Sequence, residues 1–171
     1  MAVPDDLVIR YAMPDDVGSI LAFIRDLAEY EKLAHEVVAD EAALRATLFG
    51  VKPGAEVLIA ELGGAPVGFA LFFQSYSTFL AKPGLYLEDL FVRPGARGKG
   101  VGASLMAALA RIAVQRHYGR FEWSVLDWNE PALKFYAALG AKPQSEWTVQ
   151  RLTGDALHAL ADRWPEVIGK T

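Results

Sequence analysis

Between residues 92 and 102 the chain reads VRPGARGKGVG, in which Gly95, Gly98, Gly100 and Gly102 are interspersed with Arg93, Arg97 and Lys99. Glycine takes positive φ without steric cost and lets the backbone approach a bound group closely. The stretch separates an apolar run at 85–92 from an apolar-periodic segment that begins at Gly100. A helix starting there leaves its first backbone N–H groups unpaired and carries about half a positive charge at that end. The turn either serves the backbone alone or cradles an anion, and a diphosphate fits the second use best. Directly before it, Glu88 and Asp89 interrupt an otherwise apolar strand. Strand alternation sends one of them to each face. A carboxylate there either meets solvent and ordinary partners, or attracts a cation and accepts its proton. The residues alone leave both open.

The composition narrows the chemistry. The chain has 171 residues, 53% hydrophobic and 22% charged, which predicts one ordered domain over residues 1–171. It has no cysteine, so disulfides, thiolate nucleophiles and Cys-ligated zinc are excluded. His35, His117 and His158 lie far apart with no ligand spacing, so no metal is expected. A net charge of −4 argues against a protein that wraps nucleic acid. No apolar run approaches the roughly 20 residues of a membrane span. The opening MAVPDDLVIR is acidic and polar, unlike a signal peptide. The expectation is a cytoplasmic protein that acts without a membrane.

The elements that must position these residues follow from periodicity. Residues 7–11 read as a strand, and Pro14, Asp15 and Asp16 as the first turn of a helix. Val17, Ile20, Leu21, Ile24, Leu27 and Ala28 form its apolar face. A short helix is predicted at 40–49, and strands at 56–61 and 66–73 joined by a GGAP hairpin turn. SYSTFLAKPG, 75–84, reads as a loop before a strand at 85–92. A helix at 100–117 and a strand at 121–125 come next, then a helix at 131–139 ended by Gly140. A last strand at 146–152 and a helix at 155–164 complete the order. Trp123, Trp128, Trp147 and Trp164 read as core or dimer-contact aromatics. The fold class is α/β: a mixed, mostly antiparallel sheet flanked by helices, with one β–Gly loop–α–β crossover at 85–126.

Three phosphate-binding patterns compete for the Gly-rich turn. A P-loop needs Ser or Thr after Gly-Lys, whereas Lys99 is followed by Gly100 and Val101. The dinucleotide pattern matches at Gly98, Gly100 and Ala103, but in the middle of a mixed sheet rather than in repeated βαβ units. The third pattern is RxxGxG, at Arg97, Gly100 and Gly102.

Together with the strand and helix around it and NEPALKFYAALGA at 129–141, this third pattern resembles the GNAT superfamily of N-acetyltransferases. YLEDLFVRPGARGKGVG, DWNEPALKFY, RLTG and DLAEYEK resemble the branch holding diamine (spermidine/spermine) and thialysine acetyltransferases. The similarity covers nearly the whole chain and is weakest at 75–84. It implies a GNAT-like fold, acetyl-CoA as cosubstrate, no metal, a small amine substrate and a homodimer.

The resemblance also implies site residues. The cosubstrate side would comprise Leu90, Phe91 and Val92 on a splayed strand edge, then Arg97, Gly98, Lys99, Gly100, Val101, Gly102 and Ala103. Asn129, Glu130, Pro131 and Ala132 would join them. An alkyl amine of pKa about 10.4 is almost wholly protonated at neutral pH, so a base must deprotonate it. By resemblance Glu88 is that base, acting through water. A departing thiolate needs an acid, and a phenol near pKa 10 opposite a thiol near about 8.5 is chemically suited. On spacing alone Tyr136 reads as a core aromatic with Leu133 and Leu139; by resemblance it is the acid. By resemblance Tyr30, Glu31 and Glu146 match the acceptor side; Asp89, Glu122, Glu29 and Glu88 could converge with them into an acidic funnel for a cationic amine, each acid otherwise an ordinary solvated residue.

One departure bears on the acceptor. Diamine acetyltransferases carry an acidic residue and a tryptophan in the loop before the Glu–Asp strand. Here YSTFLAKPG has no carboxylate, and it contains Phe79 and Lys82. The expected activity is direct acetyl transfer in a ternary complex, with a short amine or lysine-like amino acid favoured over a long polycation. A non-catalytic acyl-CoA-binding regulatory module is the alternative, and a dinucleotide-binding oxidoreductase stands third.

Overall fold

The computed structural model describes residues 3–163. The chain divides into two compact units, one ending at Ser124 and the other beginning at Val125.

The first unit contains strand β1 (Leu7–Tyr11), helices α1 (Val17–Tyr30) and α2 (Glu41–Phe49), and strands β2 (Glu56–Leu62), β3 (Ala65–Ser77) and β4 (Lys82–Val92). Helix α3 (Val101–Gln115) and strand β5 (Phe121–Trp123) follow. The strands lie in the order β1-β2-β3-β4-β5. All pairs are antiparallel except β4 with β5, which α3 connects as a crossover. Asp40 starts α2 by accepting a hydrogen bond from the Ala43 N–H at 2.7 Å, the usual work of an aspartate in that position. Pro14–Asp16 form a separate 3-10 turn that runs into α1.

The sheet is covered on both faces. Val57, Ile59, Phe69 and Phe91 pack with Val17, Ile20, Leu21 and Phe23 of α1 and Leu44 and Leu48 of α2. The rings of Phe23 and Phe69 stack at 5.4 Å. The alternate residues Leu58, Ala60, Ala70, Phe72, Leu85 and Leu87 are also buried, and α3 packs across β1 to β4.

Two irregularities of β4 position the site. Strand β5 pairs with it only from Leu85 to Leu87. Beyond that point the far edge of β4 has no strand partner among the described residues, while β3 pairs with it as far as Val92. The second is a β-bulge. Leu71 faces Asp89 and the next residue, Phe72, faces Leu87, so Glu88 is an extra residue in the ladder. A bulge sets two residues against one, so the regular alternation of side chains is broken between Leu87 and Asp89, with Glu88 inside the break.

The loop expected at 75–84 is mostly strand. Ser75, Tyr76 and Ser77 pair with Gly84, Pro83 and Lys82, leaving only 78–81 as the turn. Ladder hydrogen bonds are made by the backbone, so polar side chains at the outer end of a hairpin do not prevent them. Pro83 lies outside the Leu85–Leu87 stretch that β5 covers, and proline is tolerated at such strand ends.

The second unit contains α4 (Glu130–Ala138) and α5 (Gly154–Ala161). Gly140, at φ +87, follows α4 as expected. The strand expected at 146–152 does not form. Residues 145–146 make a turn and 147–153 are irregular. Trp147 and Val149 are each 79% exposed; their alternation has no neighbouring strand among the described residues to complete a ladder. Trp128 is also exposed, so neither it nor Trp147 is a core residue of the chain. Trp164, the expected end of the last helix, lies outside the described residues.

Candidate active site

The Gly-rich turn has the geometry of an open cradle. Gly98 and Gly100 hold φ of +74 and +79, which few residues with a side chain adopt. A β-carbon at either would meet nothing within 4 Å, so the space in front of both is open. Gly100 caps α3, and its carbonyl accepts the first helical bond, from Ser104 N–H at 2.9 Å. Val101 is buried and anchors the helix, while Gly102 and Ala103 lie on its partly open first turn. Unpaired first-turn N–H groups, the helix dipole and exposed Lys99 together suit an anion.

Arg97 departs from expectation. Its Nε donates to the Val92 carbonyl at 2.8 Å. The guanidinium lies over the rings of Tyr30 and Phe91, at 5.1 and 5.5 Å. Instead of adding mobile charge to the turn, this side chain reaches back onto β4 and across to α1. Leu90 and Val92 are half-buried, and Phe91 belongs to the core beneath α1. Their backbone edge is the stretch of β4 that β5 leaves uncovered.

The carboxylates of β4 and the end of α1 interact. Asp89 lies two residues before Phe91 on the α1 side of the sheet and opposite Leu71, which packs against the same core. Burial pushes its carboxyl up to about 6, and the nearby charges of Glu88 and Glu31 add to the rise. Burial raises Glu31 as well. Glu88 sits exposed at the bulge. Tyr30 and Glu31 close α1, with the Glu31 N–H donating to Leu27 O at 2.9 Å. Glu122 is held by Arg120 at 2.9 Å, so its charge is already balanced.

A cleft of about 740 Å³ opens between α1 and the residues after β4. Tyr30 and Phe91 line it together with Arg93, Arg97, Asp26 and Glu29. Glu29 is one of the acids the sequence offered for the acceptor side, whereas Asp26 and Arg93 were given no role there. Asp26 and Glu29 share a polar helical face, and Arg93 begins the Gly-rich stretch; those were the available signals.

In the second unit, Asn129 is buried and its Oδ1 accepts from the Ala132 N–H at 3.3 Å, capping α4. Pro131 occupies the first turn, where its missing N–H costs nothing. Glu130 lies 3.6 Å from Lys134 on the solvent side. Tyr136 is half-buried, with its ring 5.2 Å from that of Phe135. Its carbonyl accepts from the N–H groups of Leu139 and Ala141, closing the helix. Glu146 is exposed in the turn at 145–146.

Comparisons with known proteins agree with this arrangement. The model of the acetyltransferase (GNAT) family matches residues 20–141. Thialysine N-epsilon-acetyltransferase of Bos taurus is 40% identical over 168 residues, covering 92% of this chain and 98% of the relative. L-ornithine N5-acetyltransferase of Arabidopsis thaliana is 36% identical, covering 89% and 86%. The solved structure of an integron cassette protein from V. cholerae superposes with a TM-score of 0.76 at 30% identity, covering 92% and 99%. Nothing among these supports the non-catalytic alternative. With the open glycine cradle, the uncovered β4 edge and these relatives, the chain belongs to the acetyltransferase (GNAT) family and is an N-acetyltransferase, of the kind that takes its acetyl group from acetyl-CoA.

Proposed function

We propose that this enzyme acetylates the terminal primary amine of a small cationic acceptor, and that lysine-like amino acids and short diamines are better acceptors than long polyamines. The observation that carries the reading is the cluster of Glu31, Glu88 and Asp89: burial raises the Asp89 carboxyl, the charges of Glu88 and Glu31 add to the rise, and a bound cation would relieve that repulsion. The relatives named for thialysine and L-ornithine act on amines of this size. The turn at 78–81 holds no carboxylate, Phe79 there is 96% exposed, and Lys82 stands at the start of β4. A long polycation would find like charge there, whereas an acceptor with its own carboxylate would not be repelled.

When bound, acetyl-CoA supplies the thioester that is attacked. Gly98, Lys99, Gly100 and the first turn of α3 would hold its diphosphate, and the free edge of β4 from Leu90 to Val92 would pair with its amide chain. Glu31 and Asp89 hold the ammonium group of the acceptor. Glu88 takes, through water, the proton that the amine gives up. Tyr136 donates its phenolic proton to the departing sulfur, and Asn129 holds the start of α4. A second reading makes Asp89 the base, favoured by a carboxyl at about 6, nearer to neutrality than an ordinary aspartate.

A thiol-release assay over a panel of amines tests the acceptor class. The expected kcat/KM for thialysine or ornithine exceeds that for spermidine by about tenfold or more, a difference of roughly 1.4 kcal/mol. A spermidine preference would sink the proposed acceptor.

The homodimer is also proposed. Trp147, Val149 and Leu152 leave an apolar segment exposed with no partner strand among the described residues, and a second copy is the simplest cover. Light scattering is expected to give twice the chain mass, with Trp147→Ser plus Val149→Asp shifting it towards one chain mass.

A further inference from the structure

We infer that Arg97 is a positioning residue that couples the donor and acceptor halves of the site: it transmits occupancy of the Gly98–Gly100 turn to the Tyr30–Glu31 end of α1. The inference rests on the proposed acceptor reading.

Arg97 immediately precedes the two positive-φ glycines. Its backbone is extended, and its N–H is used locally on the Pro94 carbonyl at 3.2 Å. The main chain thus belongs to the cradle while the side chain leaves it. Nε takes the Val92 carbonyl at 2.8 Å, and the guanidinium plane covers Tyr30 and Phe91. Three parts of the site meet on this one group: the turn, the free end of β4, and the last residue of α1.

The receiving end is closely wound. Lys32 holds φ +63, an unusual conformation for a residue with a side chain, and its N–H donates to the Glu29 carbonyl at 3.0 Å. The Leu33 N–H donates to the Ala28 carbonyl at 2.7 Å. This close winding ties the Tyr30 ring to the position of Glu31, whose charge acts on Asp89. On the other side, Phe91 connects Arg97 to Asp89, two residues away on the same face of β4. An anion that orders the turn therefore orders Arg97, and with it the carboxylates that receive the amine. Only arginine can make this combination, because its planar group donates in one direction while stacking on rings in another. Lysine keeps the charge but has no planar group to donate to the carbonyl and stack on both rings at once.

Coupling of this kind is reciprocal. The probes are CoA, which cannot turn over, and L-ornithine. Calorimetry is expected to show CoA tightening ornithine binding about two- to fivefold, the range that an exposed cation–π contact supports, with ornithine tightening CoA by the same factor. Arg97→Lys is expected to lower that factor to about one, read as the ratio of affinities with and without the other ligand so that any change in the affinity for CoA alone cancels. Tyr30→Leu, which removes the ring, is expected to abolish the coupling by the other partner and serves if Arg97→Lys fails to fold. Wild-type protein without coupling overturns the inference. So does an Arg97→Lys protein that keeps the full factor, or one that loses CoA affinity with the factor intact, since the arginine is then only a phosphate grip. If ornithine, thialysine and short diamines neither bind wild-type protein nor release thiol with it, the acceptor reading itself has failed and the inference falls with it.

Discussion

Replacing Tyr136 by Phe is expected to lower kcat by about 10²-fold or more, within the range general acid catalysis contributes, with CoA affinity unchanged within about twofold. Phe keeps the ring on α4 and removes only the hydroxyl. Loss of that proton forces the sulfur to leave as a bare thiolate, of conjugate pKa about 8.5, unless water protonates it. The helix is held independently of the phenol, by the Asn129 cap at one end and the Tyr136 carbonyl at the other, so the variant should fold as the wild type does. Steady-state thiol release together with CoA calorimetry separates the two effects. A kcat within threefold of wild type would remove Tyr136 from the chemistry and return it to the role its spacing alone suggested, an aromatic packing residue.

Asp89→Asn is expected to weaken catalysis and to strengthen the fold. The carboxyl titrates at about 6 in the folded chain, above its ordinary value of 3.8. Below pH 6 it becomes neutral and no longer attracts a cation, so kcat/KM for a charged acceptor should fall as pH drops through about 6. The Asn variant should lose that inflection and about 10- to 100-fold of kcat/KM near neutrality, equivalent to about 1.4–2.7 kcal/mol. Glu88→Gln should lower kcat but keep the inflection and move it to lower pH, because one of the charges that raises Asp89 has gone. An unmoved inflection in Asp89→Asn would assign the titration to another group.

The same shift fixes the sign of the stability change. A raised carboxyl pKa means that the folded chain binds more protons than the unfolded chain between about pH 4 and 6. Stability therefore falls as pH rises through that window, and the ionised Asp89 costs about 1–3 kcal/mol above it. Asparagine has nearly the same shape and no charge. Urea unfolding should show Asp89→Asn more stable than wild type by that amount at pH 7 and nearly equal to it at pH 4. A variant less stable at pH 7 would mean that the carboxylate is held by favourable partners instead. The combination of lower activity and higher stability is the expected mark of charges gathered for a ligand.

Much of the architecture was legible because local chemistry dictated it. Leu105, Leu109 and Ile112 recur at helical spacing and are all buried on α3. Gly63 and Gly64 make the tight turn between β2 and β3, and Asp40 and Asn129 cap the helices they precede. The misreadings share a cause. Residues 75–84 contain serine, glycine and proline, so their composition says loop, yet β3 and β4 pair through most of them. Residues 146–152 alternate like a strand, yet no strand among the described residues pairs with them. In each case a ladder partner distant in sequence decided the outcome, and side-chain pattern carries no record of that partner.

By itself the sequence determined the helices and the strands of clear periodicity, the glycine turn before α3, the absence of thiol chemistry and, through its motifs, the likeness to N-acetyltransferases. These depend on neighbours along the chain or on residue type alone. Only the tertiary structure decided that Glu88 is the extra residue of a bulge, that Asp89 is the carboxyl driven upward, that Glu122 is balanced by Arg120, and that Arg97 turns away from the cradle to lie on Tyr30. Register, burial and the field of neighbouring charges arise between segments far apart in the chain, and they exist only once it has folded.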